Sequence, residues 1–206
     1  MDLGKAYSAE GACVLGGLFF IVMGFAADLA QQLATVGDIG GHAHGGDFFL
    51  RVNIPVMGIA CIAFGLGMYI VNEHRDRAHV LAYMAGLFIL TDGIAHLFAI
   101  TDHITIPLHA AVFSIIAPVQ IAGGIVFPFL PRKWDRYWIV FTVGMIALYV
   151  VSRSVAFPPL WDREEVEAVG VFSKAIEVVT LFPLISLVQG ERSMLSPASA
   201  SGAAEP

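Results

Sequence analysis

The chain has 206 residues, of which 57% are hydrophobic and only 14% are charged. A soluble domain averages roughly 25% charged residues, so this composition excludes an ordinary soluble protein and indicates an integral membrane protein. The net charge of -6 argues against nucleic acid as a partner, because nucleic acids attract basic surfaces.

Six apolar segments follow one another along the chain, at residues 12–34, 52–71, 78–101, 104–130, 137–157 and 168–188. Each reaches the roughly 20 residues needed to cross about 30 Å of hydrocarbon. We interpret them as helices, because a lone strand cannot satisfy its backbone in lipid and because the segments lack the alternation of a β-barrel. The sequence therefore predicts an all-α polytopic membrane protein, with a bundle of six transmembrane helices over residues 1–190.

The two ends of the chain differ from these segments in composition. The first residues, MDLGKAYSAEG, hold Asp2 and Glu10 against a single Lys5, whereas a signal peptide needs a basic start. We therefore expect the first apolar segment to remain in the protein as a helix. Residues 191–206 are mostly small and polar and are predicted to form a disordered cytoplasmic tail.

Basic residues mark the cytoplasmic side of a membrane protein, and here they gather in the loops after the second and fourth segments and near the chain ends. They are Lys5, Arg75, Arg77, Arg132, Lys133, Arg136 and Arg192, against Arg51 and Arg163 in the opposite loops. This bias predicts a protein of the plasma membrane with both termini in the cytoplasm and acidic loops outside. The expected partners are the lipid bilayer and either a second copy of the chain or other membrane subunits.

The third and fourth segments carry ionisable residues in an apolar setting, in the stretch TDGIAHLFAITDHITIPLHAAVF at 91–113. Asp92 and His96 are four residues apart and so share one helix face, and a carboxylate often orients a metal-binding imidazole in this way. His96 and His109 each lie about six residues from the turn between the segments, which is roughly 9 Å below it. Their matched depth on adjoining helices predicts that the two imidazoles face each other under the external surface.

Further candidate ligands lie on the same predicted side. Asp28, toward the outer end of the first segment, and His103, in the turn, are candidates to complete a site with His96 and His109. The loop GDIGGHAHGGD at 37–47 carries His42 and His44, which either collect metal ions weakly and pass them inward or are solvated without a role. Imidazole suits zinc, copper, iron and nickel.

Basic residues also occur in the outer halves of the fifth and sixth segments. Lys174 and Glu177 are three residues apart, so an ion pair within one helix is predicted. Arg153 lies near the end of its segment, where a long side chain can reach the membrane interface.

The leading hypothesis is a transition-metal site on His96 and His109, supported by Asp92, with copper, zinc or iron as the ion. Its role would be metal handling or uptake at the cell surface, or a metal centre in a larger membrane complex. One alternative is a b-type cytochrome whose haem is held by the same two histidines, with Arg153 and Lys174 at the propionates. Another is a zinc-dependent intramembrane hydrolase, although no recognisable nucleophile or base motif is present, and whether the protein is an enzyme stays open. A fourth is a structural subunit of a respiratory or oxygenase complex.

Overall fold

The computed structural model describes residues 9–36, 52–73, 76–155 and 168–195 of the chain. Within these ranges it is all-helical and contains six long helices, which confirms the predicted fold class. All six are long and apolar enough to cross a membrane, as an integral membrane protein requires. They are α1 (Ala9–Val36), α2 (Ile54–Glu73), α3 (Arg77–Asp102), α4 (Pro107–Val126), α5 (Trp134–Ser154) and α6 (Ala168–Leu195).

Helix α3 occupies the centre of the bundle. It packs against α1, α2, α4 and α6, whereas α5 packs mainly on α6. One apolar core joins α1, α2 and α3 through Ile21, Ile62, Leu66, Leu90, Ile94 and Phe98. A second core joins α3 and α6 near the α4–α5 connection, through Ala82, Ala85, Ile89, Phe127, Leu184 and Leu187. Polar side chains in the middle of α3 are therefore enclosed by neighbouring helices.

Close approach of α3 and α4 depends on glycine. A methyl group on Gly93 would lie 2.8 Å from the backbone nitrogen of Ile121, and one on Gly124 would lie 2.5 Å from the backbone nitrogen of Leu90. Small residues at helix interfaces allow this approach in membrane bundles, where packing must hold the helices together. Helices α1 and α2 also pack closely at a glycine, since Gly17 faces the backbone of Gly58.

Several helix ends differ from the predicted ones. Helix α4 begins only at Pro107, because the preceding residues form a turn in which the Ile106 amide donates to the His103 carbonyl at 2.8 Å. It ends at Val126 and is followed by a short 3-10 turn at Phe127–Phe129. The sixth helix continues to Leu195, whereas the sixth apolar segment ends at residue 188, and the domain boundary at 190 stays a prediction. The predicted disorder of the tail falls on residues that, from 196 onward, lie outside the described ones.

Two of the helices that flank α3 contain an internal proline, Pro118 in α4 and Pro183 in α6.

The turn at residues 103–106 joins α3 to α4 at one end of the bundle, and this end is called the turn end. The sidedness of the chain and the identity of its membrane stay predictions.

The N-terminus of α3 is capped by Asp76. Its Oδ1 accepts from the His79 amide at 3.0 Å, and this backbone hydrogen bond lowers the pKa of the Asp76 carboxyl from its ordinary value of 3.8. A lowered pKa means that the stabilising contribution is fully present above the ordinary value and is lost as the pH falls through the folded-state pKa. Asp76→Ala should therefore unfold at a lower temperature than the wild type at neutral pH.

This difference should shrink as the pH falls below 3.8 and through the folded-state pKa of Asp76, because the wild type then loses its charged cap. Thermal unfolding in detergent across this pH range measures it. Asp76→Asn is the control, since an amide oxygen caps the helix without titrating. A gap between the wild type and Asp76→Ala that does not change with pH would contradict the prediction.

Candidate metal centre in the helix bundle

Five polar side chains from three helices meet inside the bundle, in the half of α3 nearer the turn end. Asp92 and His96 come from α3, Gln120 from α4, and Ser173 and Glu177 from α6. Asp92 is 2% exposed, His96 5% and Glu177 2%. Burial of ionisable groups at this level is costly unless they are paired or bind an ion.

Gln120 bridges the two α3 residues. Its Nε2 donates to Asp92 Oδ2 at 2.6 Å, and its Oε1 lies 2.7 Å from His96 Nδ1. An ionised carboxylate only accepts, so the amide group must donate to Asp92 and its oxygen must face His96. Because an amide oxygen also only accepts, His96 Nδ1 carries the proton, and the neutral ring has its lone pair on Nε2. Asp92 thus orients His96 through Gln120 and fixes the tautomer that binds metals.

Ser173 contacts the opposite side of the same pair. Its hydroxyl donates to Asp92 Oδ1 at 2.5 Å and lies 3.5 Å from His96 Nε2. The single hydroxyl proton is committed to the nearer acceptor, which leaves the Nε2 lone pair without a strong donor. The ring of Phe113 is stacked on the imidazole of His96, with 5.5 Å between the two ring centroids.

Glu177 brings a second carboxylate to the group. Its Oε1 pairs with the Lys174 ammonium on the same helix, so the predicted ion pair is present. Its Oε2 is buried and makes no hydrogen bond. One ligand atom from each of Asp92, His96 and Glu177 can be chosen so that all three lie within 4.8 Å of one another. These three residues are called the inner group.

The inner group together with Lys174 would carry an excess of negative charge if both carboxylates were ionised. With His96 neutral and Lys174 protonated, the net charge of these four residues would then be minus one. Buried charge of this kind needs compensation from a bound cation or a shared proton. An ion with nitrogen and oxygen ligands would supply it.

Asp92 and His96 lie on one face of α3, with Asp92 Oδ2 3.6 Å from His96 Nδ1, and other candidate ligands contact different residues. Asp28 is fully buried and accepts from the Thr101 hydroxyl at 2.7 Å, at the contact of α1 with α3. His109 lies against the ring of His103, with 5.3 Å between centroids. Within the described residues, the inner group contains Glu177 in place of these three candidates.

Of the remaining predicted residues, Lys174 adjoins the inner group through its ion pair with Glu177. Lys174 and Arg153 both approach the ring of Tyr149, with Lys174 Nζ at 5.6 Å and Arg153 Cζ at 4.0 Å from its centroid. His42 and His44 lie outside the described residues. Their proposed role in collecting metal ions stays a prediction.

Sequence reasoning missed three members of the cluster. Gln120 and Ser173 are uncharged, so they did not stand out among the apolar residues of their helices. Glu177 was interpreted only as the partner of Lys174, although its position one turn after Ser173 on the same face of α6 is visible in the i, i+4 spacing. A search for all polar residues on one face of each helix would have found all three.

Comparisons of the chain with protein-family models, with curated proteins and with solved structures find no match. The described residues nevertheless contain a buried His/Asp/Glu group that could hold a metal ion. Function is therefore inferred from the geometry and charge of the inner group.

Proposed function

We propose that the chain is an integral membrane protein that binds a divalent transition-metal ion through His96, Glu177 and Asp92. The observation that carries this proposal is the convergence of three buried side chains: one ligand atom each from Asp92, His96 and Glu177 lie within 4.8 Å of one another. Glu177 Oε2 is moreover buried and accepts from no donor. The role that fits best is metal handling or uptake at the membrane, or a metal centre in a larger membrane complex.

The donor set suits zinc and its neighbours in the first transition row. One imidazole nitrogen and two carboxylate oxygens match the mixed N/O coordination that these ions accept. Ligand atoms around a tetrahedral ion are about 3.3 Å apart, as metal–ligand distances of about 2.0–2.2 Å imply. The ligand atoms, which lie within 4.8 Å of one another, must therefore approach one another by up to about 1.5 Å on binding. A rotation of the Glu177 side chain away from Lys174 would supply much of this contraction.

The haem alternative has little support from the packing. A porphyrin held by His96 and His109 would lie where α3 and α4 are in contact through Gly93 and Gly124. Phe113, one turn after His109, is stacked directly on His96. Both helices would have to separate to admit the macrocycle. The hydrolase alternative faces a similar obstacle, because the ligands are enclosed by neighbouring helices and a substrate would have to part them.

A second candidate is a proton carrier, and the charge of the inner group favours it. A proton shared between Asp92 and Glu177 would neutralise the excess negative charge without any metal. Such carboxylate and histidine groups occur in proton relays of membrane proteins. A measurement of metal binding distinguishes the metal-binding protein from the proton carrier.

Co²⁺ is the test ion, because a tetrahedral Co²⁺ centre absorbs visible light. The protein is purified in detergent with His42→Ala, His44→Ala and His109→Phe in every sample, since imidazoles outside the inner group also bind this ion. We expect a visible Co²⁺ band in this protein that disappears in His96→Asn and is displaced by Zn²⁺. His79→Asn is the matched control, because His79 lies at the far end of α3 and should leave the band unchanged.

The metal proposal is wrong if the band is absent, or if it persists at full strength in His96→Asn. Absence of any metal binding, with Asp92 and Glu177 still buried, would favour the proton carrier instead.

A further inference from the structure

A second pair of imidazoles lies at the turn end of the bundle, separate from the inner group. His103 is the residue that ends α3, and His109 lies in the first turn of α4. Their ring centroids are 5.3 Å apart and their ring planes are inclined by 63°. They are called the turn pair.

The ring of His103 is fixed in a form that binds metals. Its Nδ1 lies 2.9 Å from the carbonyl oxygen of Ala99, and its backbone amide donates to the same oxygen at 3.1 Å. A carbonyl oxygen only accepts, so Nδ1 carries the proton and the neutral ring has its lone pair on Nε2. A hydrogen bond from one ring nitrogen to a backbone carbonyl is the usual support of a metal-binding histidine.

The spacing of the two rings fits a shared ion. Two imidazoles bound to one tetrahedral ion, each through a nitrogen at about 2.0–2.1 Å, have their centroids about 5 Å apart. The observed 5.3 Å is close to this value. Pro107 fixes the start of α4, so the two histidines are held across a short turn and do not need the chain to fold around the ion.

The ring of Phe113 lies between the turn pair and the inner group. Its centroid is 5.5 Å from that of His103 and 5.5 Å from that of His96. The two histidine positions are therefore near each other but divided by an apolar side chain. An ion at the turn pair would not share a ligand with the inner group.

We propose that His103 and His109 form a second binding site for a divalent transition-metal ion such as Cu²⁺ or Zn²⁺, at the turn end of the bundle. Two protein ligands leave the remaining coordination positions of the ion to other ligands such as water. Binding at the turn pair does not depend on the inner group, so this proposal extends the proposed function without resting on it.

Cu²⁺ binding followed by electron paramagnetic resonance tests the turn pair, because the spectrum reports the nitrogen atoms bound to copper. The starting protein carries Glu177→Gln, to weaken the inner group, together with His42→Ala and His44→Ala. We expect one bound Cu²⁺ with coupling to two imidazole nitrogens. His109→Phe preserves an aromatic ring against His103 and should lower Cu²⁺ affinity by more than about tenfold, with loss of one nitrogen coupling.

His79→Phe is the matched control and should change neither affinity nor spectrum. Thermal unfolding without metal should be the same for His109→Phe and its parent, which excludes misfolding as the cause. The proposal is wrong if the parent binds no Cu²⁺, or if His109→Phe binds it with the same affinity and the same two-nitrogen spectrum. Neither result would contradict metal binding at the inner group, because that proposal is tested separately by Co²⁺ binding and His96→Asn.

Discussion

Glu177→Gln is expected to abolish tight metal binding at the inner group. The amide has nearly the same size as the carboxylate, so packing is preserved, but the buried Oε2 is no longer an anionic ligand. Changes to groups that merely orient a ligand cost roughly 10–100-fold in metal affinity. Loss of the ligand should cost more than 100-fold, because one of only two anionic donors disappears from a buried site.

Competitive titration of Co²⁺ against a chelator measures this loss in the protein without the loop histidines. Asp135→Asn is the matched control, because Asp135 is also a buried carboxylate, at the start of α5. It should leave Co²⁺ affinity unchanged even if it alters stability. Equal affinities of Glu177→Gln and the wild type would remove Glu177 from the metal site.

Lys174→Met is expected to make the stability of the protein depend on metal. Without metal and with both carboxylates ionised, the inner group and residue 174 together change from a net charge of minus one to minus two. Loss of one partner from a buried ion pair costs about 3–5 kcal/mol of unfolding free energy. With a divalent ion bound, the wild-type cluster has a charge of plus one, whereas the Lys174→Met cluster is neutral. The substitution should therefore raise metal affinity while lowering the stability of the metal-free protein.

Thermal unfolding in detergent, with and without Co²⁺, measures both effects. The unfolding temperature of Lys174→Met should be well below that of the wild type without metal, and it should rise more than that of the wild type when metal is added. Arg153→Met is the control, since Arg153 also lies against Tyr149 but does not pair with Glu177. If Co²⁺ stabilises Lys174→Met no more than the wild type, the ammonium and the ion do not share Glu177.

The six helices could be predicted because their signal is the length of each apolar run, which lipid imposes directly. Their ends were less predictable, because they depend on local contacts. The start of α5 is one example, where Arg132 Nη2 donates to the Leu130 carbonyl at 2.9 Å and closes the preceding turn. Hydropathy does not report such contacts.

The spacing of site residues on one helix could be predicted from the sequence, whereas the contacts between residues of different helices could not. Asp92 and His96 follow from their spacing of four residues on α3. His109 was placed opposite His96 from its depth alone, and depth does not fix the rotation of a helix about its axis. In the structure, Phe113 is the α4 side chain that is stacked on His96, while His109 lies against His103. The close packing at Gly93 and Gly124 sets this rotation, and it brings Gln120 to Asp92.

Pro118 divides α4 into two parts with different mechanical properties. A proline has no amide hydrogen, so the Ser114 carbonyl lacks its usual helical donor, and bending at this point costs less than elsewhere in the helix. The part before the proline carries His109 and Phe113, whereas the part after it carries Gln120. A hinge at Pro118 would swing His109 and Phe113 away from α3 while the amide that orients His96 stays in place. Such a bend would open a path for an ion to the proposed inner site while the hydrogen bonds of Gln120 to Asp92 and His96 are kept.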